Sequence, residues 1–185
     1  MDRWFSIQAQ FCPPKQSVKI IKSLCEHQKF KLLNPNNFNS VLTTFAKMNF
    51  SGYTFLAKDT NLIYHTNVVM SVCQHIVFIC LDAVVEQRDK NHLLFLFAES
   101  GKKVINISIS QMNSFLGNVL ELKNKNGESF LIMSTSAYNS LNSSQLEIID
   151  KYSTILHSSL DTIEYFGGGS ARCMIAEVFL ETIEF

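Results

Sequence analysis

A chain of 185 residues, 46% hydrophobic and 17% charged, holds enough apolar material for one ordinary core, which excludes wholesale disorder. Its 16 basic and 16 acidic side chains cancel, which excludes a dedicated nucleic-acid binder, because displacing counterions from phosphates takes a basic excess. No apolar run approaches the roughly 18 residues of a membrane span, so neither nucleic acid nor membrane is expected as a partner.

Met1–Phe11 is mixed and lacks a basic segment followed by an apolar core, and the cysteines at 12, 25, 73, 80 and 173 show no pairing framework, so no secretion signal and reduced thiols in a cytoplasmic protein are expected. Pro13-Pro14 precedes a helical pattern with Val18, Ile21, Leu24 and Cys25 on one side and lysines on the other, stopped by Asn34-Pro35-Asn36-Asn37. Residues 1–37 form an N-terminal helical segment in this reading, and Phe38, Val41, Leu42 and Phe45 mark a second short helix. From Tyr53 the chain turns β-branched and aromatic, and residues 53–57, 63–72 and 75–81 read as strands. Residues 86–100 read as a helix with Leu93, Leu96 and Phe97 inward, then 103–107 as a strand and 110–115 as a short helix. Residues 117–123 and 129–133 make a hairpin across Asn124-Lys125-Asn126-Gly127. The Ser144-to-Glu147 spacing suits a capping box and opens a helix with Ile149, Tyr152 and Leu156 inward. Residues 162–166 and 170–180 read as strands on either side of Gly167-Gly168-Gly169.

A weak repeat runs through this pattern. Asn67-Val68 is matched by Asn118-Val119 51 residues on, and Cys173-Met174 takes the same place 55 residues later. A period of about 50 residues, with two strands, a helix and a return strand, suggests a repeat architecture.

Cys173 has two readings. As a nucleophile it follows three glycines, which let backbone approach a ligand, and Arg172, whose cation favours a thiolate. As a core thiol it sits on a buried C-terminal strand beside Met174, the reading that composition alone favours. His65 starts a strand and is either a proton donor for a leaving group or a hydrogen-bonded, half-buried histidine. Strand alternation puts Asn67 on the same face, as a ligand contact or a strand-edge amide. Cys73 and His75 share a strand face and Cys80 opposes them, with no C-x-x-C pair, so no metal and no other cofactor is expected. His27, His92 and His157 read as solvent-facing on helices.

Three stretches carry a resemblance: Ile63-Tyr64-His65-Thr66-Asn67-Val68-Val69-Met70, Phe115-Leu116-Gly117-Asn118-Val119-Leu120-Glu121-Leu122, and residues 167–177 around Gly-Gly-Gly-Ser-Ala-Arg-Cys-Met. In this order they resemble the C-terminal part of the arginine-deiminase-related amidinotransferases, including the citrulline-utilisation hydrolases, over residues 38–185. The resemblance implies the pentein fold, an α+β (α/β propeller) fan of five ββαβ-type units around a pseudo-axis, of which about three are present. It implies a small guanidino or ureido substrate such as arginine or citrulline. It makes Cys173 the nucleophile and His65 the general acid and base, with Asn67, Arg172, Gly168 and Gly169 as substrate contacts. Asn67 stands where the better-known deiminases have Asp.

Two acidic motifs of that family, a Pro-Asp with a Phe-Pro-Asn-Asn-Trp-like run and a Glu-Gly-Thr-Gly run, are absent here, and Trp4 is the only tryptophan. The expectation is therefore a truncated or divergent hydrolase in which Asp59 and Asp82 are the first carboxylates to inspect. The alternative is a non-catalytic remnant that binds or assembles, whose open sheet edges favour a homo-oligomer. A plain mixed α/β domain with accidental motif similarity is the third reading.

Overall fold

The computed structural model describes residues 53, 55–60, 63 and 65–176; the expected helices before residue 50, the boundary at residue 37 and the end of the chain lie outside them. In chain order the elements are α1 (Thr66–Val69), β1 (Met70–Val72), β2 (Ile76–Ile79), a 3-10 turn (Leu81–Ala83), α2 (Gln87–Glu99), β3 (Lys103–Asn106) and α3 (Ile109–Asn113). Then follow β4 (Leu120–Lys123), β5 (Ser129–Ser134), α4 (Thr135–Ser140), α5 (Ser143–Ile149), β6 (Thr154–Ser158), α6 (Asp161–Gly167) and α7 (Ala171–Met174).

The same topology occurs twice. β1 pairs antiparallel with β2, and β2 pairs parallel with β3 across the α2 crossover. β4 pairs antiparallel with β5, and β5 pairs parallel with β6 across α4 and α5. Each is a ββαβ unit, so the described residues hold two of the expected units as two small mixed sheets in an α+β arrangement. The central strand β2 explains its own position. Ile76, Val77, Phe78 and Ile79 form an unbroken apolar run, and all four are buried, as a strand covered on both faces requires. The core continues through Val69, Leu116, Val119, Leu131, Met133 and Ile149.

Several sequence expectations need correction. Residues 63–72 are not one strand: the chain makes the helical turn α1 first, closed by the Met70 N–H on the Thr66 carbonyl, and only then extends. The β-branched Val68 and Val69 suit a strand, but burial of Asn67 and Val69 fixes the turn, so tertiary packing overrides local preference. Residues 162–166 are helix, not strand. Of this stretch only Glu164 is buried, while Tyr165 and Phe166 are 82% and 81% exposed. Asp161 and Glu164 in its first turn suit the positive end of a helix, and Gly168 (φ 64°) stops it in left-handed conformation. Residues 171–174 are likewise a helical turn rather than part of a last strand.

The helix expected from Ser144 is capped two residues earlier. The Asn142 side chain accepts from the Gln145 N–H, and Gln145 reaches back to the Asn142 N–H. It ends at Ile149, and the chain extends into β6 alongside β5, leaving Tyr152 and Leu156 exposed rather than inward. His157 is therefore on a strand, stacked on Tyr138 at 4.1 Å. Leu96 is exposed, so α2 buries Leu93 and Phe97 without it. No helix among the described residues is long and apolar enough to cross a membrane.

Candidate functional site

The three positions of the sequence repeat meet in space. Asn67 lies in α1, Asn118 in the turn between α3 and β4, and Cys173 in α7. The Asn118 Nδ2 donates to the Asn67 carbonyl at 2.9 Å and to Cys173 Sγ at 3.2 Å. Asn67 Nδ2 donates to the same sulfur at 3.6 Å.

The turn before Asn118 is sharp because Phe115 takes a positive φ of 63° and the Asn118 N–H closes on the Phe115 carbonyl at 2.8 Å. Gly117 then passes so close to α1 that a Cβ there would collide with the Val68 carbonyl. Ser71 Oγ donates to the Gly117 carbonyl at 2.7 Å, sewing the start of the first sheet to the start of the second.

The cysteine turn is built on the same base. Gly169 crosses over Cys173, where a Cβ would stand 3.1 Å from both its Cβ and its Sγ. The Ser170 N–H donates to Asn118 Oδ1 at 3.1 Å, the Arg172 N–H to the Asn118 carbonyl at 3.3 Å, and the Cys173 N–H to the Ser170 carbonyl at 3.0 Å. Ser170 Oγ donates to Glu164 Oε1 at 2.6 Å, and Ser136 Oγ to Glu164 Oε2 at 2.9 Å. Asn118, Ser170 and Glu164 are buried, while Cys173 is exposed. Cys173 is thus neither a core residue nor on a strand; it is a surface thiol on a buried polar base.

The expected site residues fall into place unevenly. His65 is exposed at the N-cap position of α1, with extended backbone (φ −141°, ψ 130°), two residues before Asn67. Because Asn67 is already in the helical turn, strand alternation does not relate the two side chains. Asn67 is buried, and its carboxamide meets the thiol. Gly168 and Gly169 form the entry to the cysteine turn. The Arg172 charge acts on the buried thiol of Cys73.

Burial pushes the Cys73 thiol up to about 12, helped by the nearby Glu121 carboxylate and opposed by Arg172 and Lys102. Burial also raises the Cys80 thiol. Among the described residues, then, Cys173 is the exposed cysteine and the other two are held neutral inside. Asp59 accepts from Asn113 Nδ2 at 3.3 Å, and Asp82 is exposed on the 3-10 turn; both carboxylates bear on Cys80. The Glu164 side chain reaches the cysteine turn through Ser170, with both carboxylate oxygens occupied. No group of three or more His, Cys, Asp or Glu among the described residues is arranged to hold a metal ion.

Sequence reasoning missed Asn118 and Glu164. The repeat register pointed at Asn118, which occupies the position equivalent to Cys173, but no role was attached to it. Glu164 carried no signal, since its stretch read as a strand.

Comparison with individually curated proteins gives no match. A comparison with protein families matches residues 34–180 to "N,N dimethylarginine dimethylhydrolase, eukaryotic", a guanidino-modifying hydrolase family of the pentein superfamily. That span covers most of the chain, both ββαβ units and the turn that carries the exposed thiol, and the chain belongs to this dimethylarginine dimethylhydrolase family.

Proposed function

We propose that the chain hydrolyses a small guanidino compound of the N,N-dimethylarginine class through a covalent adduct on Cys173. The observation that carries the reading is an exposed thiol on a Gly-rich turn with two carboxamide N–H groups directed at its sulfur. In the first half-reaction Sγ attacks the guanidinium carbon and the C–N bond to the dimethylamino group breaks. His65 supplies the proton with which dimethylamine leaves. The remaining thiouronium is attacked by water, whose proton returns to His65. The C–S bond then breaks as the new hydroxyl gives its proton to solvent, releasing a neutral ureido product and the thiolate. Water is the only co-reactant, and no cofactor enters.

Gly169 passes over Cys173 with no side chain of its own, and the Asn67 carboxamide lies beside the sulfur. Arg172 takes part through its main chain, which ties the turn to Asn118. The two ββαβ units, joined at equivalent turns, are read as neighbouring blades of the pentein fan.

One observation favours a second reading. A planar cation with paired donors suits carboxylates, yet among the described residues Cys173 Sγ is met by carboxamides, while Asp59 holds Asn113 and Glu164 holds Ser136 and Ser170. A binding module without turnover fits that donor set.

The test measures dimethylamine release from N,N-dimethylarginine, and ammonia release from arginine and citrulline, with Cys173→Ser as control. Release by the native chain that vanishes in Cys173→Ser, with a trapped mass adduct on the Cys173 peptide, supports the hydrolase. Equal release by both proteins sinks the covalent route. Saturable binding of N,N-dimethylarginine with no product favours the binding module.

A further inference from the structure

Asn118 is only 2% exposed, and its backbone partners decide which end of its carboxamide is which. Oδ1 faces the Ser170 N–H, which can only donate. Nδ2 faces the Asn67 carbonyl, which can only accept. Turning the carboxamide over would set donor against donor and acceptor against acceptor in a buried site, leaving each group unsatisfied. The orientation is thereby fixed without reference to the sulfur. The second Nδ2 hydrogen is left facing Cys173 Sγ at 3.2 Å. A group that must donate favours the form of the sulfur that only accepts, which is the thiolate.

We propose that Asn118 is a thiolate-stabilising residue of the Cys173 site, holding the sulfur through Nδ2–H while its Oδ1 holds the cysteine turn through Ser170. The proposal deepens the hydrolase reading and rests on its choice of Cys173 as nucleophile. The Nδ2–H holds the negative sulfur before it attacks the guanidinium carbon. It does so again when the C–S bond breaks and the sulfur departs with the bonding pair. No proton moves to or from Asn118. Asn67, at the equivalent position of the first unit, adds a longer donor at 3.6 Å.

The experiment follows iodoacetamide alkylation of the Cys173 peptide by mass spectrometry, in the full chain, across pH 5–10. Asn118→Asp keeps an acceptor for Ser170 but loses the donor; Asn118→Ala loses the donor and adds no charge. Glu164, Arg172 and His65, the charged or titratable groups of the turn and of α1, are the same in all three proteins. The midpoint is expected to rise in both variants, with alkylation at neutral pH about tenfold slower for each unit of rise. An unchanged midpoint in either folded variant overturns the proposal.

The native protein gives an independent reading if the variants do not fold. The Asn118 side-chain amide resonance is expected to titrate with the midpoint of Cys173 alkylation and to stop titrating in Cys173→Ala. A resonance that ignores pH overturns the proposal. Neither measurement needs turnover. A chain that hydrolyses nothing yet shows these titrations refutes the hydrolase reading and leaves the role of Asn118 standing.

Discussion

At Gly169 a single methyl group has nowhere to go except toward the thiol. Its backbone is not left-handed, so alanine is conformationally acceptable, and among the described residues the added Cβ meets Cys173 Cβ and Sγ, at 3.1 Å. Gly169→Ala is therefore expected to leave the thermal midpoint within a few degrees while slowing Cys173 alkylation or turnover by about tenfold, since small displacements of a reacting atom are costly. Cys73 answers in the opposite sense. Its thiol ionises near pH 9 when unfolded and only near 12 when folded. Between those values the unfolded chain binds fewer protons than the folded one. The Cys73 contribution to stability is thus intact below pH 9 and lost as pH climbs toward 12. Thermal melts from pH 8 to 11 should show a decline that is shallower in Cys73→Ala. Of these residues the glycine run beside Cys173 was plain in the sequence, but the strand expected there is a helical turn that leaves the thiol exposed. Asn118 was not given its role, because its partners are backbone groups of distant residues.

Where elements meet, a close approach matters more than their own propensities. Gly117 lets the α3–β4 turn rest on the α1 backbone, so Gly117→Ala must push two turns apart. Loss of about 3 kcal/mol is expected in urea unfolding, in the range of severe core defects. The elements most legible in the sequence were those with local causes. The β4–β5 hairpin follows from Asn-Gly turn chemistry, and β2 from four consecutive apolar residues. The stretches at 63–72 and 162–166 were misread because short apolar runs fit either period, and what decides them is a burial pattern set by other parts of the chain. Gly168 was a usable sign, since a glycine in left-handed conformation ends α6, but it was read only as a point of ligand approach.

Across the whole described unit, Glu164 ties α4 to the cysteine turn by accepting from Ser136 and Ser170. Glu164→Ala strands two hydroxyls and is expected to cost about 2–3 kcal/mol. Glu164→Gln keeps one acceptor and a group that a reoriented serine can accept from, so it should cost about half as much. Urea titration of both variants checks the order; equal costs would mean that the carboxylate is not the tie. The repeat of about 50 residues was the one long-range feature visible in the sequence, because equivalent turns put like residues at like positions. The sulfur's nearest donors come from residues 55 and 106 positions away along the chain. Closing loops of that length costs entropy that a local hairpin never meets, so the surroundings of the thiol belong to the last stage of folding. A pulse of alkylating reagent during refolding would accordingly see an ordinary cysteine until both sheets have docked, and Cys173 serves as a clock for completion of the fold.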